Sequence, residues 1–260
     1  MNYLEEYYNH YDEEGRLLSR HGQVEYRTTM KYIKACLEGV SDPAILEVGA
    51  GTGRYSVTLA KQGFRVTAVE LIEHNLEILR AKLDGTEPIT PIQGNALDLS
   101  PFPDHSFDLT MLLGPMYHLY TKEEKLKALS EAVRVTKPGG YILVAYCMNE
   151  PTVIQYVFGL NHLHEVMALN MLTADWHCIS EPKDLFEMVR TEEIAELDAA
   201  VPVKRIKLVA TDGATNYKRE YIDAMDDEMF DKWMDYHFTI CERQDLIGAS
   251  HHTLDILRKE

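Results

Sequence analysis

The sequence predicts an α/β fold on a mostly parallel sheet, enlarged by a helical insertion or cap. Three observations predict it. The apolar run Ala44 to Val48 passes through glycines at 49, 51 and 53 into a helical pattern, Tyr55 to Lys61. A second apolar run, Phe64 to Val69, ends on Glu70. Later, Lys137-Pro138-Gly139-Gly140 stops a helical pattern and opens a further apolar run, Tyr141 to Val144. Short apolar runs bounded by turn residues and alternating with amphipathic segments are the pattern of parallel strands joined by helices.

In chain order, residues 1–42 read as an N-terminal helical arm, with patterns near Tyr3 to His10 and Gln23 to Leu37 around a charged Tyr11 to Arg16 segment. Residues 43–147 form the binding core. Alternating glycines permit a tight turn and close backbone approach to a ligand, and the free N–H groups of the following helix favour a polar or anionic group beside them. Phe107 onward leads into a further strand. Thr121 with Glu124 three residues on reads as a capping box for a helix that buries Leu126, Leu129, Ala132 and Val133. Residues 148–202 read as a helical lid, with an apolar helix over Val153 to Leu172. Residues 203–260 supply a strand over Lys204 to Ala210, a helix over Asp226 to Ile240 and a last strand over Thr253 to Arg258.

The glycine spacing is not the G-x-G-x-x-G of dinucleotide enzymes. Glu47-x-Gly49-x-Gly51-x-Gly53 resembles motif I of the class I S-adenosylmethionine (SAM) dependent methyltransferases. Glu70 after the second strand, Gly94-Asn95-Ala96 where that family usually has Gly-Asp-Ala, and the proline-glycine turn before the fifth strand follow in the family's order. The resemblance covers roughly Pro43 to Cys147. It implies a Rossmann-like, seven-stranded, mostly parallel sheet, with Pro91 to Ala96 as its third strand and the last strand inserted between its neighbours.

The resemblance also implies SAM as cofactor, with the arm of residues 1–42 over the cofactor mouth. Gly49, Ala50, Gly51 and Gly53 would lie along its amino-acid end, with Glu47 taking the ammonium. Glu70 would accept the ribose diol, Leu71 would lie on the adenine, and Asn95 and Ala96 would face its edge. The carbonyl of Leu113 would accept from the ammonium. The loop Gly114-Pro115-Met116-Tyr117-His118-Leu119 resembles a Gly-Pro-x-Tyr-His-Leu loop of a bacterial small-molecule subgroup. Ligands in open α/β sheets bind beyond the carboxyl ends of the strands, so this loop is expected at the transfer site. Met116, Tyr117, His118 and the arm's Tyr11 are the expected substrate contacts, and Arg16, Glu25 and Thr28 are further candidates from the arm. His118 is the candidate base, because imidazole titrates near neutrality. Tyr117 is the second catalytic candidate, since an aromatic face favours a sulfonium.

Composition bounds the partners. Of 260 residues, 26 are Lys or Arg and 42 are Asp or Glu, a net charge of −16 that repels a phosphate backbone. A small-molecule acceptor is therefore preferred to RNA. A protein acceptor and a non-catalytic SAM-binding module are the alternatives. Cys36, Cys147, Cys178 and Cys241 form no C-x-x-C pair and read as free thiols of a reducing compartment. The acidic, tyrosine-rich start and the lack of a long apolar run point to a cytoplasmic protein without a membrane span. His162 with His164, His251 with His252, and His237 with Cys241 lack a carboxylate at ligand spacing, so no metal is expected.

Overall fold

Five strands lie parallel at the centre of the computed structural model, which describes residues 3–260; the first two residues of the arm lie outside the described residues. They are β1 (Ala44–Val48), β2 (Arg65–Glu70), β3 (Ile89–Gln93), β4 (Phe107–Leu112) and β5 (Thr136–Met148). The short β6 (Met188–Val189) pairs with the end of β5, and β7 (Val203–Ala210) and β8 (His252–Lys259) complete the sheet. The order is β3-β2-β1-β4-β5-β8-β7, with β8 antiparallel to both neighbours. The seven predicted strands are all present, with the last inserted between its neighbours; β6 is an addition too short for its pattern to show in the sequence.

Side chains alternate across each strand, so the central strands are buried on both faces. Leu46, Val48, Leu112, Ile142 and Val144 pack on one side against Leu129 and Ala132 of α5 (Lys122–Val135). Ile45, Leu109, Met111 and Leu143 pack on the other against Ile33 and Leu37 of the arm and Leu59. The capping box at the start of α5 forms as read, with the Glu124 amide donating to Thr121 Oγ1 at 3.2 Å. The preceding helices are α1 (Tyr3–Tyr8), α2 (Arg20–Leu37), α3 (Arg54–Lys61) and α4 (Glu73–Ala81). The second helix starts three residues before the sequence pattern suggests, because Ser19 Oγ caps it by accepting from the Gly22 amide.

The single lid helix expected over Val153 to Leu172 is broken. A turn of helix α6 (Asn149–Thr152) runs into a π-helical stretch, Val153–Gly159, and α7 (Leu163–Ala168) follows. Asn161 between them has φ +61°, a left-handed conformation that ends a helix and that Asn tolerates better than most residues. Beyond it come α8 (Thr191–Ala199), α9 (Arg219–Asp223), α10 (Asp227–Ile240) and α11 (Gln244–Ile247). Among the described residues no helix is long and apolar enough to cross a membrane.

Candidate active site

The carboxyl ends of β1, β2 and β4 converge on the glycine turn. Gly49, Gly51 and Gly53 have φ of +76°, +55° and +84°, a region that a side chain strains. A Cβ on Gly49 would lie 2.6 Å from Pro115 Cδ, so glycine lets the turn after β1 touch the loop after β4. Gly53 plays a different part from the one expected. It is absent from the cavity wall, and a Cβ there would strike Leu79 Cγ at 2.7 Å, so it seats α3 on α4.

Glu70 ends β2 and closes this turn from the side. Its carboxylate accepts from the Gly51 amide at 2.7 Å and the Ile72 amide at 2.9 Å, one on each oxygen. Burial raises its pKa against those hydrogen bonds, which lower it. The Asn75 side chain also bonds it, and Glu70 lines the cavity with acceptor capacity of the kind a diol requires. Glu47 is 1% exposed and accepts from Ser56 Oγ. Burial, with a smaller push from Glu70, raises its pKa to about 8. Such a carboxyl is held neutral until a cation comes to face it. Leu71 and Ala96 line the same cavity, and Asn95 Oδ1 is held by the Leu97 amide at 2.9 Å.

The loop after β4 is a 3₁₀ turn, Pro115–His118. Tyr117 donates its hydroxyl to the Leu113 carbonyl at 3.0 Å, the oxygen expected to meet the cofactor's ammonium. His118 has both nitrogens engaged. Nδ1 lies 2.8 Å from the Leu185 carbonyl, which only accepts, so Nδ1 carries the hydrogen and Nε2 accepts from Tyr8 at 3.0 Å. Burial pushes the pKa of His118 down to about 4. It is a neutral clamp between arm, loop and lid, with no free nitrogen to act as a base. Met116, expected at the substrate, is fully buried in the core beside Leu112 and Leu129. Thr28 is equally remote from the site, donating to the Val24 carbonyl within its own helix.

The arm roofs the site. Arg16 donates to Glu13 at 3.2 Å and to Glu25 at 2.9 Å, and Lys82 donates to Glu14 and, at 2.7 Å, to the Thr52 carbonyl beside the glycines. Beneath it lie two adjoining cavities. The first, of about 360 Å³, is lined by Glu47, the glycine turn, Glu70, Asn95 and the loop after β4. The second, of about 1210 Å³, is lined by the lid, the arm's Tyr7 and Tyr11, and Cys147. Tyr8, Glu13, Arg16 and Tyr117 belong to both walls. Of the expected substrate contacts, the structure thus places Tyr11 in the larger cavity, Tyr117 between the two and His118 in the smaller.

The far wall of the larger cavity holds a group that the sequence does not join. Asp212, from beyond β7, meets His251 and His252 at the start of β8, with ligand-type atoms within 4.8 Å of one another. The carboxylate missing from the linear pattern comes from about forty positions away, and only the antiparallel pairing of β7 with β8 delivers it.

The donor set suits SAM. The buried neutral carboxyl of Glu47, the backbone of the left-handed glycine turn that lines the cavity and the carboxylate of Glu70 are of the kinds that an ammonium, an amino-acid end and a diol require in turn.

Comparison with known proteins agrees. Residues 46–144 match the family model described as a methyltransferase domain. A demethylmenaquinone methyltransferase of Clavibacter sepedonicus is 37% identical over 112 residues, 43% of this chain and 44% of that protein. A ubiquinone biosynthesis O-methyltransferase of Alkalilimnicola ehrlichii is 23% identical over 64% of this chain and 66% of that protein. The chain spans from under half to two thirds of the length of these curated relatives. Among solved structures, SAM-dependent methyltransferases of Methanosarcina mazei and Thermotoga maritima share the fold. Their TM-scores are 0.59 and 0.58 and their identities 16% and 18%; the alignments cover 88% and 99% of this chain and 96% and 99% of those chains.

Proposed function

With residues 46–144 matching a methyltransferase-domain model, we propose that this chain is a class I SAM-dependent methyltransferase that transfers a methyl group from SAM to a small-molecule acceptor held in the larger cavity. The observation that carries this reading is the junction of the two cavities at Tyr8, Glu13, Arg16 and Tyr117. The smaller cavity, at about 360 Å³, falls within the roughly 300–1,000 Å³ usual for a small-molecule site. A non-catalytic module would not need the chamber beside it. A net charge of −16 favours a small molecule over RNA. The relatives named for demethylmenaquinone and ubiquinone biosynthesis point the same way.

Bound in the smaller cavity, SAM supplies an electrophilic methyl on a positive sulfur. The chain's own residues do the rest by placement. Glu70 accepts the diol hydroxyls, Glu47 pairs with the ammonium, and the glycine turn brings backbone groups within reach. Tyr117 stands between donor and acceptor cavities, and Lys82 ties the arm's Glu14 to the Thr52 carbonyl beside the glycine turn, so the arm is held against the donor cavity.

Calorimetric titration with SAM and with its demethylated product tests the first half of the reading. Incorporation of labelled methyl from SAM into a low-molecular-weight metabolite extract tests the second. One binding site and label in the small-molecule fraction are expected. No binding removes the whole reading, and label confined to added RNA or protein removes the small-molecule acceptor.

A further inference from the structure

His252 sits on the wall of the acceptor chamber with one ring nitrogen fixed and the other free. Its Nδ1 lies 2.7 Å from Asp212 Oδ2 and 3.5 Å from Glu25 Oε2. Among the described residues nothing bonds its Nε2, and the ring lines the larger cavity. Asp212 is held more firmly than a pairing role alone would need. It is 1% exposed, and it accepts from Ser250 Oγ at 2.7 Å, from the His252 amide at 3.1 Å and from Asn216 Nδ2 as well as from the imidazole. With its lone pairs taken, Asp212 is a poor metal ligand, although His251 and His252 lie beside it. It is instead a fixed acceptor that keeps the Nδ1 hydrogen in place and leaves Nε2 as the lone-pair nitrogen of the neutral ring, on a side chain that lines the chamber.

We propose that His252 is the residue in the chamber that bonds the acceptor's nucleophilic atom and takes its proton, with Asp212 as its positioning residue. The acceptor is then a small molecule whose methylated atom is a hydroxyl oxygen or an amine nitrogen that carries a hydrogen. As the new bond from that atom to the methyl carbon forms, the proton passes to Nε2. The methyl–sulfur bond breaks with its electron pair left on sulfur, and the proton later leaves to solvent. This inference rests on the methyl-transfer reading above and names the group that the reading lacks, since His118 has no free nitrogen.

The charges around the ring fix the direction of the pH dependence. Burial opposes a charge on His252, but Glu25 of α2, Cys147 of β5 and Asp212 outweigh it and hold the imidazole pKa well above its ordinary value. Beside it, burial and the positive charge of His252 push His251 down to about 4, so that ring is neutral; Arg219 of α9 also lowers it, while Asp212 and Glu25 raise it. Arg16, on the far side of Glu25, completes the surroundings. The resting ring is protonated and must lose that proton before it can accept another, so turnover rises with pH through the His252 titration.

Two measurements on the full chain test the proposal. Long-range proton–nitrogen NMR of the histidine rings reads the neutral tautomer of His252 without any acceptor. The Nδ1–H form, with titration above the usual imidazole range, is expected. An Nε2–H form would overturn the proposal. In the metabolite-extract assay, H252Q is expected to lower labelled-methyl transfer by about 100-fold or more while SAM affinity stays within twofold. D212N is expected to lower the plateau and to move the rising limb to lower pH, because removing the carboxylate lowers the ring's pKa. A wild-type pH profile in H252Q would also overturn it. Should the extract accept no label from the wild type, the methyl-transfer reading has failed, and the NMR result still decides the tautomer.

Discussion

Tyr8 donates its hydroxyl to His118 Nε2 at 3.0 Å, joining the first helix of the chain to a loop more than a hundred residues on. His118 passes the link to the Leu185 carbonyl, so arm, loop and lid meet at one neutral imidazole. Replacing His118 by Ala is expected to cost about 1–2 kcal/mol of stability, the scale of two net hydrogen bonds. The arm should loosen with it, and limited trypsin digestion should cut faster at Arg16. The acid limb of the pH–rate profile should not move, because a group with its pKa near 4 does not titrate in the working range. Unchanged stability and cleavage would show that the link does not hold the arm.

Glu70 serves the turn and the ligand together. Glu70→Ala is expected to weaken SAM binding by about 1.5–3 kcal/mol through loss of a charge-assisted contact to the diol. It should also destabilise the free protein, because the Gly51 and Ile72 amides lose their partner. Calorimetry and urea unfolding read the two effects separately. SAM affinity equal to wild type would remove the diol role.

Glu47 ties cofactor affinity to pH. Its pKa is raised to about 8, so below that pH the carboxyl is mostly protonated in the free protein. Pairing with an ammonium favours the charged form and expels the proton. SAM should therefore bind more tightly as pH rises from 6 to 8 by up to roughly 50-fold, tenfold per pH unit well below the pKa and less as the pH reaches it. Calorimetry in buffers of different ionisation enthalpy should show proton release, and Glu47→Gln should abolish it while weakening binding. Proton uptake in the wild type would reverse the assignment.

Gly49→Ala tests the turn itself. The new Cβ would meet Pro115 Cδ at 2.6 Å from a backbone with φ +76°. The expected cost is about 1–3 kcal/mol in stability, from left-handed strain and a displaced loop. Gly39→Ala, also at positive φ but with nothing within 4 Å, is the control that separates strain from contact. Equal losses in the two variants would deny the contact between turn and loop.

Local order in the chain determined the sheet and the cofactor half. Apolar runs, glycines at alternate positions and an acid at a strand end are all encoded within a few neighbouring residues. The physics that reads them, burial period and backbone freedom, is equally local. Glu47, Gly49, Gly51, Glu70 and Asn95 therefore reach one cavity as their spacing suggested. Only the tertiary structure decided the acceptor side. It buried Met116, used both nitrogens of His118 as a clamp, and broke the lid helix at Asn161. It also brought Asp212 and Glu25 to His252, through contacts between residues 40 to more than 200 positions apart. Such pairings depend on which strand edges and helix faces meet, and no period or motif in the linear chain records that choice.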